Sequence, residues 1–163
     1  MKKILIINTG GTFNKIYDPI SGELPIDTTS NALKDIATKW LCKFEIINII
    51  GKDSLAMTNQ DRLELLATID QSEYTDIIII HGTDTMEITA DYLAEGDLKK
   101  CIVLTGAMVP YSINPVEATA NLASAFGYLQ TLTHNGVNIA MNGIFGNHKK
   151  VKKNRQKGQF ILS

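Results

Sequence analysis

Cysteine is scarce in this 163-residue chain. Cys42 and Cys101 form no C-x-x-C pair, and no Cys/His spacing reads as a zinc site, which excludes disulfide scaffolds and zinc ribbons. Two buried thiols in a reducing compartment, the cytoplasm, are expected instead. Long hydrophobic runs are missing too, since no apolar stretch approaches the roughly 20 residues that cross a bilayer, so no membrane partner is expected. The opening Met1–Asn8 segment is basic and then apolar. Its short apolar part, Ile4-Leu-Ile-Ile7, falls below the roughly 7–15 residues of a secretory core, so it is expected to be a first strand. The phosphate signatures G-x-x-x-x-G-K-[ST] and G-x-G-x-x-G are absent, as is the G-x-S-x-G elbow of α/β serine hydrolases.

What is present is an ordinary globular composition, 44% apolar and 20% charged, with a net charge of −1. One domain spanning residues 1–163 with its own core is expected. The charge is unevenly placed. Lys149, Lys150, Lys152, Lys153, Arg155 and Lys157 are six of the sixteen cations, and no Asp or Glu follows Asn147. The basic segment 148–157 is expected to be a solvated surface or subunit contact, with nucleic acid not an expected partner.

Apolar runs and helical periods alternate along the chain. Strands are predicted at Ile4–Ile7, Phe44–Ile50, Ile77–Ile80, Cys101–Leu104 and Val137–Met141, with Ile77–Ile80, the most hydrophobic, placed centrally. Helices are predicted at Asn31–Trp40, after the N-cap signal Thr58-Asn-Gln-Asp61, at Thr85–Glu95 closed by Gly96, and at Val116–Leu132. On the last of these, Asn121, Ala123 and Gly127 are expected to permit close helix packing. Breakers in Phe13–Thr29 predict a loop without regular structure. This order predicts an α/β fold: an open, mainly parallel, doubly wound sheet of flavodoxin-like type with helices on both faces.

Ligands of such sheets bind beyond the carboxyl ends of the strands. Those ends carry Asn8-Thr-Gly-Gly-Thr-Phe13, Gly51-Lys-Asp-Ser54, His81-Gly-Thr-Asp-Thr85, Thr105-Gly-Ala-Met-Val-Pro110 and Asn142-Gly143. Glycines let backbone N–H groups approach a ligand, and helix N-termini add partial positive charge, which suits a small anionic ligand. Thr12 and Thr83 both adjoin glycines, although a threonine hydroxyl attacks only when a neighbour activates it. His81, ending a buried strand, is expected to be structural, and Met57, Met86 and Met108 to fill the core or pocket.

Thr9-Gly-Gly-Thr12, His81-Gly-Thr-Asp-Thr-Met86 and Thr105-Gly-Ala-Met108 resemble, in order and spacing, the motifs of the bacterial-type asparaginase family. Asp53-Ser54 with Met57-Thr58 resembles that family's substrate-binding turn. The likeness covers nearly the whole chain. It resembles the amino-terminal domain of two-domain members and most closely the short single-domain members, which share Met141-Asn-Gly143 and Val151-Lys-Lys-Asn154. The resemblance implies hydrolysis of L-asparagine, with L-glutamine as the competing substrate, to L-aspartate and ammonia. It assigns Thr12 as nucleophile, Thr83, Asp84 and Lys153 as the water-orienting and proton-shuttling group, and Tyr17 as the loop tyrosine polarising Thr12, with Tyr111 as its competitor. It also implies that Asp53 and Ser54 hold the substrate's α-groups, that the chain forms a homo-oligomer (dimer or tetramer), and that no metal or cofactor takes part.

Amide chemistry further needs oxyanion donors, which backbone N–H groups near Gly11, Thr83 or Ala107 could supply. A lysine serving as base must lose its proton easily, which the surrounding cations of Lys153 would favour. Two alternatives remain: an amidase or glutaminase acting on another amide, including ammonia release for an amidotransferase, and a non-catalytic binder of Asn or Asp.

Overall fold

The strand Asp76–Ile80 (which becomes β3 below) divides its side chains between two cores. Ile77 and Ile79 pack with Leu5, Ile7, Ile102 and Leu104, whereas Ile78 and Ile80 join Ile4, Ile6 and Val103 on the other side. A continuous apolar run therefore requires a sheet covered on both faces. The computed structural model, which describes residues 1–163, contains that sheet. Its strands are Ile4–Gly10 (β1), Glu45–Lys52 (β2), Asp76–Ile80 (β3), Cys101–Thr105 (β4), Gly136–Met141 (β5) and Ile144–Asn147 (β6). They lie in the order β2-β1-β3-β4-β5-β6, with β1 to β5 parallel and β6 antiparallel to β5.

Helices Asn31–Lys39 (α1), Asn59–Gln71 (α2), Met86–Glu95 (α3) and Pro115–Thr131 (α4) cover the faces in pairs. Leu65 and Ile69 of α2 and Met86, Ala90 and Leu93 of α3 close one core. Leu33 and Ile36 of α1 and Ala118, Leu122, Ala125 and Leu129 of α4 close the other. The expected doubly wound sheet is present, with β3 inside it. Helix α2 starts in a capping box, Thr58 Oγ1 accepting the Asp61 N–H while the Asp61 carboxylate accepts the Thr58 N–H.

Several expectations need correcting. Gly96 is not left-handed; Asp97 takes the positive φ of 47° instead, and a Cβ on Gly96 would run into Leu66. Ala123 and Gly127 are exposed on α4 and nothing lies near Gly127, so neither serves close packing. Cys42 is exposed in the turn after α1, and only Cys101 is buried. The loop after β1 is not structureless: Ile16 N–H donates to Pro25 O at 3.0 Å, Asp18 N–H to Glu23 O at 2.9 Å, and Lys15 bridges Ile26.

The largest correction concerns the basic segment. Lys149, Lys150, Arg155 and Lys157 are exposed as expected, but the segment is no loose tail: it is built into a hairpin of Val151–Asn154 (β7) and Gln159–Leu162 (β8). Val151 and Phe160 are buried in the α2/α3 core, and His148 is buried as well. The hairpin lies on α3, whose Glu87 and Asp91 stand one turn apart on the same face. His148 Nδ1 meets Asp91 Oδ1 at 2.8 Å, Lys153 N–H donates to Glu87 Oε1 at 2.6 Å, and Lys152 Nζ lies 3.6 Å from Glu87 Oε2. The surplus of acid in the body thus meets the surplus of base beyond Asn147.

Phe160 stands directly opposite Lys153 in the hairpin register and anchors it. Phe160→Ala should lower stability by about 3–5 kcal/mol, read as a lower urea midpoint with an unchanged m-value. A loss under 1 kcal/mol would show that Phe160 does not anchor the hairpin.

Candidate active site

The strand order reverses between β1 and β3, and the crevice at such a switch point is where open α/β sheets take ligands. The loops that meet there are packed backbone to backbone. Gly11, at φ 74°, faces Gly82 so closely that a Cβ on it would lie 2.5 Å from Gly82 N. A Cβ on Gly82 would lie 2.7 Å from Ser54 Cβ and Oγ, and one on Gly106 would collide with His81 O. The loops after β1, β3, β2 and β4 therefore approach within distances that only glycine allows. Thr85 fastens the same corner, its N–H donating to Ser54 Oγ at 3.3 Å and its hydroxyl to Ser54 O at 2.9 Å.

Above this stack lies an open cleft of about 320 Å³ lined by Thr12, Thr83, Asp84, Met108, Lys153, Arg155 and Gly158. Thr12 starts a 3-10 turn, Thr12–Asn14, braced from below by buried asparagines. Asn14 Nδ2 donates to Asn8 Oδ1 at 2.8 Å and to Gly10 O at 2.7 Å. On the opposite wall Lys153 Nζ donates to Thr83 Oγ1 and to Asp84 Oδ1, both at 2.8 Å. The Lys153 side chain is only 12% exposed. Arg155 reaches the same carboxylate, Nη1 donating to Asp84 Oδ1 at 3.2 Å and Nη2 to Asp84 O at 2.6 Å. The charge nearest Lys153 is thus a carboxylate, not the neighbouring cations its sequence context emphasises.

A sequence profile of the asparaginase family, amino-terminal domain, matches residues 3–159. The chain belongs to this family. It is 33% identical to a probable periplasmic L-asparaginase of Haemophilus influenzae, over 87% of this chain and 43% of that protein. It is 30% identical to a glutaminase-asparaginase of Pseudomonas aeruginosa, over 87% of this chain and 42% of that protein. The crystal structure of a probable cytoplasmic L-asparaginase from Campylobacter jejuni superposes with a TM-score of 0.79 at 27% identity, covering 99% of this chain and 53% of that one. A thermostable L-asparaginase from Thermococcus kodakarensis gives 0.82 at 24% identity over 51% of its length, a likeness of fold. The chain spans less than half of the length of the curated relatives it matches.

Of the residues singled out in the sequence, Thr12, Thr83, Asp84 and Lys153 share the cleft. Tyr17 does not line it; it is 59% exposed on the loop after β1. Tyr111 is turned away, its hydroxyl donating to Asp35 Oδ2. Gly11 N–H is occupied by Lys52 O at 3.0 Å, whereas the N–H groups of Thr12 and Phe13 at this turn have no partner within the chain. Ala107 is buried, and its N–H likewise has no partner within the chain. Asp53 caps a short turn, Ser54–Ala56, and Ser54 is buried against Gly82.

Four site residues escaped the sequence reading. Arg155 and Glu87 act across the hairpin contact, whose partners lie far apart in sequence. Glu117 accepts the N–H groups of Met108 and Val109 at 3.1 and 2.9 Å, fixing the loop after β4. Asn121, expected to permit packing, is a polar strut: its Nδ2 donates to Gly106 O at 2.9 Å and its Oδ1 accepts Asn142 N–H at 2.9 Å. An acid in the first turn of a helix is the only local signal that could have pointed to Glu117.

His81 is structural. Its Nδ1 lies 2.6 Å from Gly82 O, which can only accept, so Nδ1 carries the proton and Nε2 accepts from the Thr89 hydroxyl at 2.8 Å. Arg62 Nε donates to the same Thr89 oxygen at 2.9 Å. Burial, joined by the Arg62 charge, lowers the His81 pKa to about 4. The unfolded state therefore binds the extra proton between about pH 6.5 and 4, and stability falls as pH drops through that window. Between pH 7 and pH 5 the His81 contribution should amount to about 2 kcal/mol. Urea titrations of the parent and His81→Asn at both pH values test this. The variant, whatever its stability, should show a pH loss smaller by that amount, and parallel losses would exclude a neutral buried imidazole.

Proposed function

We propose that this chain hydrolyses the side-chain amide of L-asparagine to L-aspartate and ammonia, with Thr12 as nucleophile. The observation that carries the reading is the sharing of one cleft by Thr12 and the hydrogen-bonded Thr83–Lys153–Asp84 group. The names of the family's relatives, probable L-asparaginases among them, support it. Thr12 Oγ1 makes no hydrogen bond within the chain, so it is open to the amide carbon. Attack forms the Thr12 Oγ–carbon bond, and the C–N bond breaks as the leaving nitrogen takes the hydroxyl proton and departs as ammonia. Water then attacks the β-aspartyl ester, the ester C–O bond breaks, and Thr12 recovers its proton.

Thr83 is placed for the second half. Its Oγ1 accepts from Lys153 and its own proton remains available to orient the water, while Lys153 and Asp84 offer a path for the proton that the water gives up. The unpartnered N–H groups of Thr12, Thr83 and Ala107 are the candidate donors to the developing oxyanion. Tyr17 would polarise Thr12 only after its loop turns inward. Asp53 and Ser54 would hold the substrate's α-ammonium and α-carboxylate. We place the protein in the cytoplasm as a homo-oligomer, dimer or tetramer. Ile16, Leu55, Val109, Ile113 and Val116, exposed on the loops and helix start at the site end, favour association there.

Ammonia release should be measured with asparagine, glutamine and buffer side by side. Thr12→Ala should lose roughly 10³ or more in turnover, and Lys153→Met ~10²–10⁴. Lys149 and Lys150, exposed and remote from the cleft, should cost less than tenfold when replaced together. Turnover within tenfold of the parent in Thr12→Ala would remove the nucleophile. Light scattering should give a multiple of 17.9 kDa, and a fully active monomer would refute the oligomer.

A further inference from the structure

Asp53 is engaged before any substrate arrives. Its Oδ2 is 2.8 Å from Lys15 Nζ, and its Oδ1 accepts Leu55 N–H at 3.3 Å. Each carboxylate oxygen thus already has a partner, and the one cation on Asp53 is the Lys15 ammonium. Lys15 is three residues beyond Thr12 and closes the turn that bears it, its N–H donating to Thr12 O at 3.1 Å. Its carbonyl accepts the Ser112 hydroxyl at 2.7 Å, so the backbone is held on both sides. The side chain is another matter. It is a four-carbon stem, 24% exposed, reaching a carboxylate that is itself 37% exposed. A partly exposed ion pair of this kind contributes little to stability and is readily exchanged.

We infer that the Lys15 ammonium is an internal stand-in for a substrate ammonium on Asp53, so that binding of an amino acid through Asp53 is an exchange of one cation for another. Lys15 is therefore a specificity-determining residue that weakens affinity for amino acids without touching the reacting atoms. This rests on Asp53 receiving the α-ammonium, as proposed above. The chemistry follows from charge count. Asp53 offers one negative charge to two cations, and each must desolvate to reach it. A ligand without an ammonium leaves the Lys15–Asp53 pair intact and gains nothing from its removal. The hydrogen bond from Lys15, the strongest influence on Asp53, also holds that carboxyl below its ordinary range.

The test compares the parent with Lys15→Met, which keeps the length of the stem. Calorimetric binding of L-aspartate and of succinate, the same diacid without its ammonium, is measured at low and high salt, and KM and kcat are measured with asparagine. The expected result is L-aspartate affinity and KM improved about threefold or more, kcat unchanged within twofold, and succinate affinity unimproved. In the parent, raising the salt should weaken the internal pair and narrow the gap to the variant. Equal L-aspartate affinity in both proteins overturns the inference, as does a fall in kcat or thermal stability without tighter binding, which would make Lys15 a strut. Equal tightening for succinate overturns it too, because the gain would then be general electrostatics. If neither protein binds L-aspartate or turns over asparagine, it is the asparagine reading that fails. The exchange is then refuted with it, since no amino acid occupies Asp53.

Discussion

Lys153 Nζ, lying 2.8 Å from both Thr83 Oγ1 and Asp84 Oδ1, joins two parts of the chain seventy residues apart and gives the cleft its polar wall. A largely buried ammonium is costly unless a carboxylate and a hydroxyl share it. Here the cost is met by a ladder of contacts that brings the hairpin onto α3: His148 to Asp91, Lys153 N–H to Glu87, and Arg155 to Asp84. Phe160, opposite Lys153 in register, adds the apolar burial that ion pairs at a surface cannot supply. Electrostatics sets where the hairpin docks, and hydrophobic burial makes the docking stable.

The other wall depends on close approach rather than charge. Gly11, Gly82 and Gly106 admit backbones so near one another that the loops after four strands form one surface. Polar side chains buried beneath it would be costly if orphaned, and those of Asn8, Asn14, His81 and Asn121 all have partners. Asn8 and Asn14 bond reciprocally, His81 is satisfied by Gly82 O and Thr89, and Asn121 ties Gly106 to Asn142. These contacts leave little freedom for the backbone at Thr12 and Thr83. Preorganisation of that kind is what the proposed amide hydrolysis would require, because hydroxyls and oxyanion donors act only when already in place.

The five parallel strands and four helices were legible because their signals are local, whereas the short antiparallel β6 was not expected. Ile77–Ile80 could only be a strand covered on both faces, and Thr58 with Asp61 spells out a helix start. The glycines beside Thr12 and Thr83 were legible for the same reason, as a strand end with a hydroxyl is a short pattern. The hairpin was not. A run of six cations carries the signature of a solvated segment, and Val151 and Phe160 are too isolated among polar residues to announce a buried strand pair. Lys153 came into view only through a resemblance to known motifs, Arg155 only as one of the clustered cations and Glu87 not at all, since their contacts join segments far apart in sequence.

The loop between β1 and α1 marks where local reading ends for a physical reason. Its shape is set by contacts to segments far along the chain: Lys15 to Asp53, and Lys15 O to the Ser112 hydroxyl ninety-seven residues away. Within the loop, the Ile16–Pro25 and Asp18–Glu23 bonds fold it on itself and leave Tyr17 in solvent. A tyrosine at this sequence distance from Thr12 can lie over the cleft or away from it with the same local geometry. The carboxylate that Lys15 holds and the carbonyl that Ser112 meets are long-range contacts, and neither is written in the residues beside Tyr17. The exposed position of Tyr17 therefore goes with a loop fastened at Lys15 by partners far along the chain and closed on itself by the Ile16–Pro25 and Asp18–Glu23 bonds, a set of contacts that no short sequence pattern around Tyr17 encodes.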